Sequence, residues 1–290
     1  MKKTAYYPAF PGGKMKMFTT SYDDGNDCDA RLVELLRKHG ARGTFNVNSW
    51  MYDDDEQMPE SKARLWRRMD MDEALALYGD DMEIAVHGAV HPWWDKLSPV
   101  NAMQDILSDK QTIERMTGRI IRGAAYPWGT FNDNVVEILR QAGFAYCRAV
   151  AVTKKLKTRS IDPLRYQGTI RHRDPEAIDL ARRFAEADTL DGQLCTYYLW
   201  GHTYEFMQKN NWNIVEEILD IVGDREDVWY CTNIEYFDYM AATKELRFDV
   251  DRTMVENPTA TDIWLRGGRK YYDPEPIFLK VPAGATVKLD

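Results

Sequence analysis

Apolar positions along the chain follow two different periods. Short apolar runs typical of strands recur between residues 14 and 231, and segments with apolar residues at helical spacing lie between them. The predicted strands are 14–22, 44–47, 82–86, 120–126, 144–152, 195–200 and 228–231. The predicted helices are 27–39, 71–78, 99–117, 132–142, 175–187 and 214–222.

The alternation of strand and helix predicts the fold class. Repeated βα units imply a parallel sheet, because a crossover helix returns the chain so that the next strand runs in the same direction. About seven such units favour a closed sheet over an open one. We therefore predict an α/β fold, a distorted (β/α)7-type barrel.

The pattern changes from about residue 245 onward. Short alternating runs at 261–265, 277–281 and 286–289 are separated by glycine and proline clusters, which is typical of hairpins. The sequence therefore predicts two domains: a barrel over residues 1–244 and a small antiparallel β appendage over residues 245–290.

The overall charge limits the classes of partner. The 290-residue chain has a formal net charge of −8, which argues against a nucleic-acid binder because phosphate neutralisation requires a basic surface. No run approaches the length of a membrane span and the N-terminus lacks the apolar core of a signal peptide, so we predict no membrane association and a cytoplasmic location. The acidic run 53–56 lacks the spacing of a calcium loop and is predicted to be solvated surface. The expected partner is a carbohydrate or small-molecule substrate, and the oligomeric state is left open.

Acidic and histidine side chains follow several predicted strands. Asp23 and Asp24 follow the first strand, His87 and His91 the third, and His202 the sixth, so three of the chain's five histidines are in this group. Asp-Asp-Gly alone is common turn chemistry. However, residues that follow the strands of a parallel barrel lie on one rim. Two histidines four residues apart and a carboxylate there are typical of a catalytic site for a divalent metal.

These motifs resemble those of the polysaccharide deacetylases, carbohydrate esterase family 4, whose fold is a NodB-homology-type barrel. Residues 21–25 match the first family motif, which ends in Asp-Asp-Gly. Residues 87–91 match the His-Ser/Thr-x-x-His motif, with glycine in the Ser/Thr place, and residues 125–129 match the third motif in part. Residues 198–202 match the hydrophobic strand that ends in histidine. The resemblance extends from residue 14 to about residue 240.

The resemblance implies a role for each matched residue. Asp24, His87 and His91 would bind the metal, usually Zn²⁺, with Co²⁺, Ni²⁺ or Mn²⁺ as alternatives. Asp23 would be the general base that activates the water bound to this metal, and His202 would be the general acid. The backbone N–H of Tyr126 would stabilise the oxyanion. The residues expected to line the substrate site are Tyr126, Pro127, Trp128 and Trp200.

The chain departs from the family pattern at two places. Ala125 stands where the family has an arginine that orients the catalytic aspartate, so another arginine must reach Asp23 if the orientation is kept. Arg148 and Arg165 are the candidates, and a surface salt bridge is the alternative role of each. The motif whose acid orients the catalytic histidine has no match between residues 145 and 165, which leaves Asp174 and His172 as candidate partners of His202.

The function predicted from these residues is hydrolytic, metal-dependent deacetylation of an N- or O-acetylated carbohydrate. One alternative is a non-catalytic carbohydrate-binding relative, because of the two departures. The other is an amidohydrolase of the same barrel type that acts on a small C–N substrate. The tryptophans expected near the rim would form a sugar-stacking platform or pack in the core: Trp93, Trp94, Trp128 and Trp200.

Overall fold

The computed structural model describes residues 5–51, 66–157, 162–268 and 275–289, so the acidic run 53–56 lies outside the described residues. The strands are β1 (Ala5–Ala9), β2 (Lys16–Asp23), β3 (Gly43–Val47), β4 (Glu83–Val86), β5 (Gly123–Ala125), β6 (Tyr146–Val152), β7 (Tyr166–Gly168), β8 (Ile170–Arg171), β9 (Cys195–Gly201), β10 (Val228–Tyr230), β11 (Arg247–Phe248), β12 (Met254–Glu256), β13 (Ile263–Gly268), β14 (Ile277–Val281) and β15 (Thr286–Lys288). The helices are α1 (Asp29–Lys38), α2 (Met71–Tyr78), α3 (Pro99–Thr117), α4 (Asp133–Gln141), α5 (Ala177–Ala185), α6 (Thr203–Lys209), α7 (Asn213–Val222) and α8 (Asn233–Lys244).

The central sheet contains nine parallel strands in the order β7-β6-β5-β4-β3-β2-β9-β8, and β10 also pairs with β2. No ladder joins β7 to β8 among the described residues, but only Thr169 separates these two strands in the chain. The N–H of Thr169 donates to the carbonyl of Tyr198 in β9 at 3.0 Å. The two edge strands of the sheet, β7 and β8, are therefore consecutive in the chain. The predicted α/β fold of the distorted barrel type is confirmed.

Local sequence signals set the ends of the helices. The Ser98 side chain accepts a hydrogen bond from the Asn101 N–H at the start of α3, where Pro99 takes a position that needs no N–H donor. Gly118 ends the same helix with φ +67°, a conformation that favours glycine. These caps explain why the predicted bounds of α3 match the structure.

Strands near both termini of the chain form antiparallel sheets. β1 pairs with β13, and β13 with β14, while β12 pairs with β11 and with β15. The strand β1 is not predicted by the sequence pattern, and it connects the N-terminal residues to the C-terminal strands. The division into two domains at residue 245 stays a prediction. Among the described residues, no helix is both long enough and apolar enough to cross a membrane.

The first residue of β4, Glu83, carries a buried carboxyl group. Glu83 accepts hydrogen bonds from the Thr44 hydroxyl at 2.7 Å, the Tyr146 hydroxyl at 2.8 Å and the Ile234 N–H at 2.8 Å. Burial outweighs these three donors and raises the pKa of Glu83 from 4.5 to about 7. The folded chain therefore keeps this proton at pH values where the unfolded chain has lost it.

Replacement of this carboxyl by an amide should change how stability depends on pH. Between pH 4.5 and about 7 the folded state binds more protons at Glu83 than the unfolded state, so this group makes the free energy of unfolding fall as pH rises. Asp29 and Asp109, whose pKa values are also raised to about 7, act in the same direction. We expect Glu83→Gln to remove about 3 kcal/mol of the decrease between pH 5 and pH 8, as measured by urea unfolding. The matched control is Glu34→Gln on the exposed side of α1, and equal pH slopes for the wild type and Glu83→Gln would contradict the prediction.

Candidate active site

The residues predicted at strand ends meet at one cavity of about 550 Å³. Asp23 is the last residue of β2 and Asp24 follows it with φ +78°. His87 follows β4 directly, and His202 follows β9. All four line the cavity together with His91, because the carboxyl ends of parallel strands meet at the same rim.

Asp24, His87 and His91 form a cluster with the ligand types of a metal site. Their nearest nitrogen and oxygen atoms all lie within 4.8 Å of one another. The Oδ1 atom of Asp24 is 3.9 Å from His87 Nε2 and 3.6 Å from His91 Nε2. This oxygen is buried and has no hydrogen-bond partner among the described residues. A buried acceptor that makes no hydrogen bond and faces two imidazoles fits a divalent cation.

The two imidazoles are held in the form that binds metals. Nδ1 of His87 is 2.9 Å from the carbonyl of Ala125, and since a carbonyl can only accept, Nδ1 carries the proton and Nε2 keeps its lone pair. Burial is the main cause that lowers the pKa of both histidines, that of His91 to about 4. Both rings are therefore neutral near pH 7.

A buried aspartate in α3 holds the turn that carries His87. Asp109 accepts hydrogen bonds from the backbone N–H groups of Ser49 and His87, both at 3.0 Å. The Asn48 amide donates to the carbonyls of His87 at 2.7 Å and Gly88 at 2.8 Å. Asp109 was not a sequence candidate, although it lies in phase with the buried apolar residues of α3, where an acid requires an explanation.

Arg148 supplies the positive charge that position 125 lacks. It lies on β6 directly opposite Ala125 of β5, and its guanidinium forms an ion pair with Oδ1 of Asp23. Asn46 also donates to this oxygen, at 2.8 Å. Burial alone would raise the pKa of Asp23, but the charge of Arg148, followed by His87 and His202, lowers it to about 2. The structure thus selects Arg148 from the two candidates.

Two predicted site residues have other partners in the structure. Arg165 forms ion pairs at the surface with Asp133 at 2.7 Å and Asp162 at 2.9 Å, which is the alternative role given for it rather than the orientation of Asp23. The backbone N–H of Tyr126 donates to the Arg148 carbonyl at 3.0 Å as the sheet continues past β5. It is therefore not free to stabilise an oxyanion. Pro127 is buried, and Trp128 lines the cavity with φ +61°.

His202 has a partner that the sequence did not predict. Its Nε2 atom is 3.8 Å from Asp23 Oδ2. Its Nδ1 atom is 3.1 Å from Arg171 Nη2 and 3.6 Å from Oε2 of Glu205, which lies on the first turn of α6. Burial lowers the pKa of His202, but Glu205 and the two aspartates outweigh burial, so its pKa is raised. The predicted partners Asp174 and His172 bind elsewhere: Asp174 pairs with Lys154, and His172 with Glu205 at 3.2 Å.

The tryptophans near the rim divide into two groups. Trp93 and Trp128 stack on each other with ring centroids 4.2 Å apart, and both are partly exposed. Trp94 is fully buried, so core packing was the correct alternative for this residue. Trp200 is also buried, but it lines the cavity between the guanidinium groups of Arg148 and Arg171, which lie 4.5 and 4.8 Å from its ring centroid.

Comparisons with known proteins agree with this geometry. Residues 12–147 match the family model described as polysaccharide deacetylase, whereas no curated protein matches the chain. A putative polysaccharide deacetylase from Mycobacterium smegmatis superposes with a TM-score of 0.55 at 17% identity, over 82% of this chain and 94% of that one. The Puue allantoinase gives 0.57 at 13% identity, over 81% and 93%. The Xyl-CE4 domain of a multidomain xylanase from the hindgut metagenome of Trinervitermes trinervoides gives 0.50 at 13% identity, over 79% and 92%.

At identities this low, the structural similarity shows that this chain and these proteins share a fold, and it shows nothing about function. The family match is more specific, because its range includes Asp23, Asp24, His87 and His91, the residues that the structure brings together at the cavity. The predicted resemblance is therefore confirmed: residues 12–147 match the polysaccharide deacetylase family model.

Proposed function

We propose that the protein is a metal-dependent hydrolytic deacetylase that removes acetyl groups from an N- or O-acetylated carbohydrate. The observation that carries this proposal is the Asp24, His87 and His91 cluster beside the ion pair of Asp23 and Arg148 in one cavity. A metal set and a separately held carboxylate are the two parts used in metal-assisted hydrolysis of an acetyl group.

The metal would be held by Asp24, His87 and His91. Two neutral imidazoles and a carboxylate suit Zn²⁺, and they also suit Co²⁺, Ni²⁺ or Mn²⁺. When bound, such a cation would polarise the acetyl carbonyl and lower the pKa of a water molecule.

Asp23 would accept a proton from the attacking water. With its pKa lowered to about 2, it is ionised near pH 7. So low a pKa makes it a weak base, which suits a water molecule whose own pKa has been lowered. Arg148 and Asn46 both hold Oδ1 of Asp23, and this leaves Oδ2 for the proton.

His202 would donate a proton to the departing amine or alkoxide. Its raised pKa favours the imidazolium form, and its Nε2 atom faces Asp23 and Asp24, at 3.8 and 3.9 Å. Glu205, near Nδ1, would stabilise that charged form.

The oxyanion donor must differ from the one predicted. The Tyr126 N–H donates to the Arg148 carbonyl in the sheet, whereas Trp128 lies two residues further along the chain and lines the cavity. Because Trp128 lines the cavity in a left-handed turn, we assign the oxyanion contact to its backbone N–H.

Acetate release tests the proposed function. We expect the zinc-loaded protein to release acetate from acetylated chitooligosaccharides or acetylxylan, to lose this activity on chelation and to regain it when zinc is restored.

A second candidate function follows from Trp200. Its buried indole lines the cavity and favours a small substrate, so the second candidate is an amidohydrolase that acts on a cyclic amide. The set of substrates tested therefore includes allantoin. Absence of turnover on the whole set, with sugar binding intact, would instead support a non-catalytic carbohydrate-binding protein.

A further inference from the structure

We propose that Arg68 makes this cavity selective for an anionic substrate, namely an acetylated sugar that also carries a carboxylate. The inference rests on the proposed function, because it names the substrate class of the same site. Arg68 lines the cavity, although no family motif predicted it.

Arg68 is fixed beside Asp24 by its own backbone. Residues Asn26 and Arg68 form a β-bridge, and the neighbouring Met69 N–H donates to the Gly25 carbonyl at 2.9 Å. The Arg68 side chain is only 11% exposed, and its Nη2 atom lies 3.4 Å from Asp24 Oδ1. The guanidinium therefore faces the oxygen that the metal cluster would use.

The acids around the cavity are already matched by arginines before any cation is bound. Asp23 pairs with Arg148, Asp24 with Arg68, and Glu205 with Arg171, which makes three acids and three arginines. A divalent cation adds two positive charges in a buried setting where charges are weakly screened. Although the whole chain is acidic, with a net charge of −8, the loaded cavity is positive and attracts anions.

Donor side chains also line the cavity. Arg68, Arg171 and Trp200 are among the lining residues, and 11% of the Arg68 side chain is exposed. Guanidinium and indole N–H groups can only donate. A carboxylate offers several acceptor positions and the opposite charge, so it satisfies such donors better than a neutral hydroxyl does.

A purely structural role for Arg68 would give a different result from the one proposed. If Arg68 served only to hold Asp24, its removal would disturb the metal site and weaken acidic and neutral ligands alike. When a cation also binds Asp24, Arg68 shares that carboxylate with the cation, so its own charge is less fully compensated. A substrate carboxylate would compensate it. Trp66 and Tyr204, which stack at 4.4 Å on the cavity wall, provide an apolar face for the sugar ring that carries it.

Binding of a matched ligand pair tests this inference without turnover. The zinc-loaded protein is titrated by calorimetry with a glucuronic acid disaccharide and with its methyl ester, which lacks the negative charge and carries one additional methyl group. We expect the acid to bind at least tenfold more tightly than the ester. Arg68→Gln should remove most of this preference and leave the ester within twofold, and Arg68→Lys should restore part of it.

A neighbouring arginine provides the control. Arg67 forms an exposed ion pair with Glu73 and does not line the cavity, so Arg67→Gln should keep the full preference for the acid. Equal binding of acid and ester by the wild type, or equal weakening of both ligands by Arg68→Gln, overturns the inference. Failure of the proposed function is distinguishable, because it would appear as absent acetate release from acetylated substrates while the binding difference was still measured.

Discussion

Asp23→Asn should lower kcat by a factor on the order of 10³ while the protein keeps its zinc. The amide is nearly the same size as the carboxylate and can still accept from Asn46 at Oδ1, but it cannot take a proton from water. The metal cluster uses Asp24 rather than Asp23, so the metal content should not change. Acetate release and zinc content per chain, measured on the same preparation, check the prediction.

The matched variant is His87→Ala, which should lose most of the bound zinc and keep the fold. Asp109 and Asn48 bind the backbone of residue 87 rather than its ring, so the turn remains held when the imidazole is removed. The two variants should thus distinguish the role of the general base from that of a metal ligand. If Asp23→Asn retains nearly normal turnover, Asp23 is not the base.

The sequence predicted the parts of the site that depend on strand ends. Asp23, Asp24, His87 and His202 directly follow apolar runs, and in a parallel sheet every strand ends at the same rim. Their convergence therefore required only the correct fold class. The ends of the longer helices were equally predictable, because α3 carries its serine cap, its first-turn proline and its final glycine in the sequence itself.

The partners of these residues depend on register and on helix faces, which a single sequence does not specify. Arg148 reaches Asp23 because it lies opposite Ala125 across the β5 and β6 ladder, and a slip of one residue would turn its side chain to the other face of the sheet. In the same register, the Tyr126 N–H donates a hydrogen bond to the Arg148 carbonyl. Glu205 is placed by the first turn of α6, and Asp109 by the buried face of α3.

The elements that the sequence pattern missed are mostly too short to show a period. β7 has three residues, β8 has two, and α6 has seven, whereas helical and strand periods become visible only over longer windows. The longer α8 was missed for a different reason. It buries Asn233 and Thr243 together with Tyr236 and Phe237, so its buried face is not marked by apolar residues alone.

Arg148→Met should destabilise the fold by about 3–5 kcal/mol at pH 7, because it leaves the Asp23 carboxylate buried without its cation. Arg148 lowers the pKa of Asp23 in the wild type, so that pKa should rise in the variant. Protonation then removes the unpaired charge, and the stability difference between variant and wild type should shrink as pH falls. Urea unfolding at pH 7 and at pH 4.5 measures both effects. Activity should fall as well, since Asp23 loses the group that orients it.

A double-mutant cycle separates the ion pair from packing, because the Arg148 guanidinium also lies 4.5 Å from the Trp200 ring centroid. If the loss comes from the unpaired carboxylate, Arg148→Met should cost much less in an Asp23→Asn background, with a coupling of about 2 kcal/mol or more. Additive losses would assign the effect to Trp200 instead. The surface control is Arg165→Met, which breaks only exposed pairs with Asp133 and Asp162 and should change stability by less than about 1 kcal/mol. A loss for Arg148→Met no larger than this control would mean that the buried pair does not stabilise the fold.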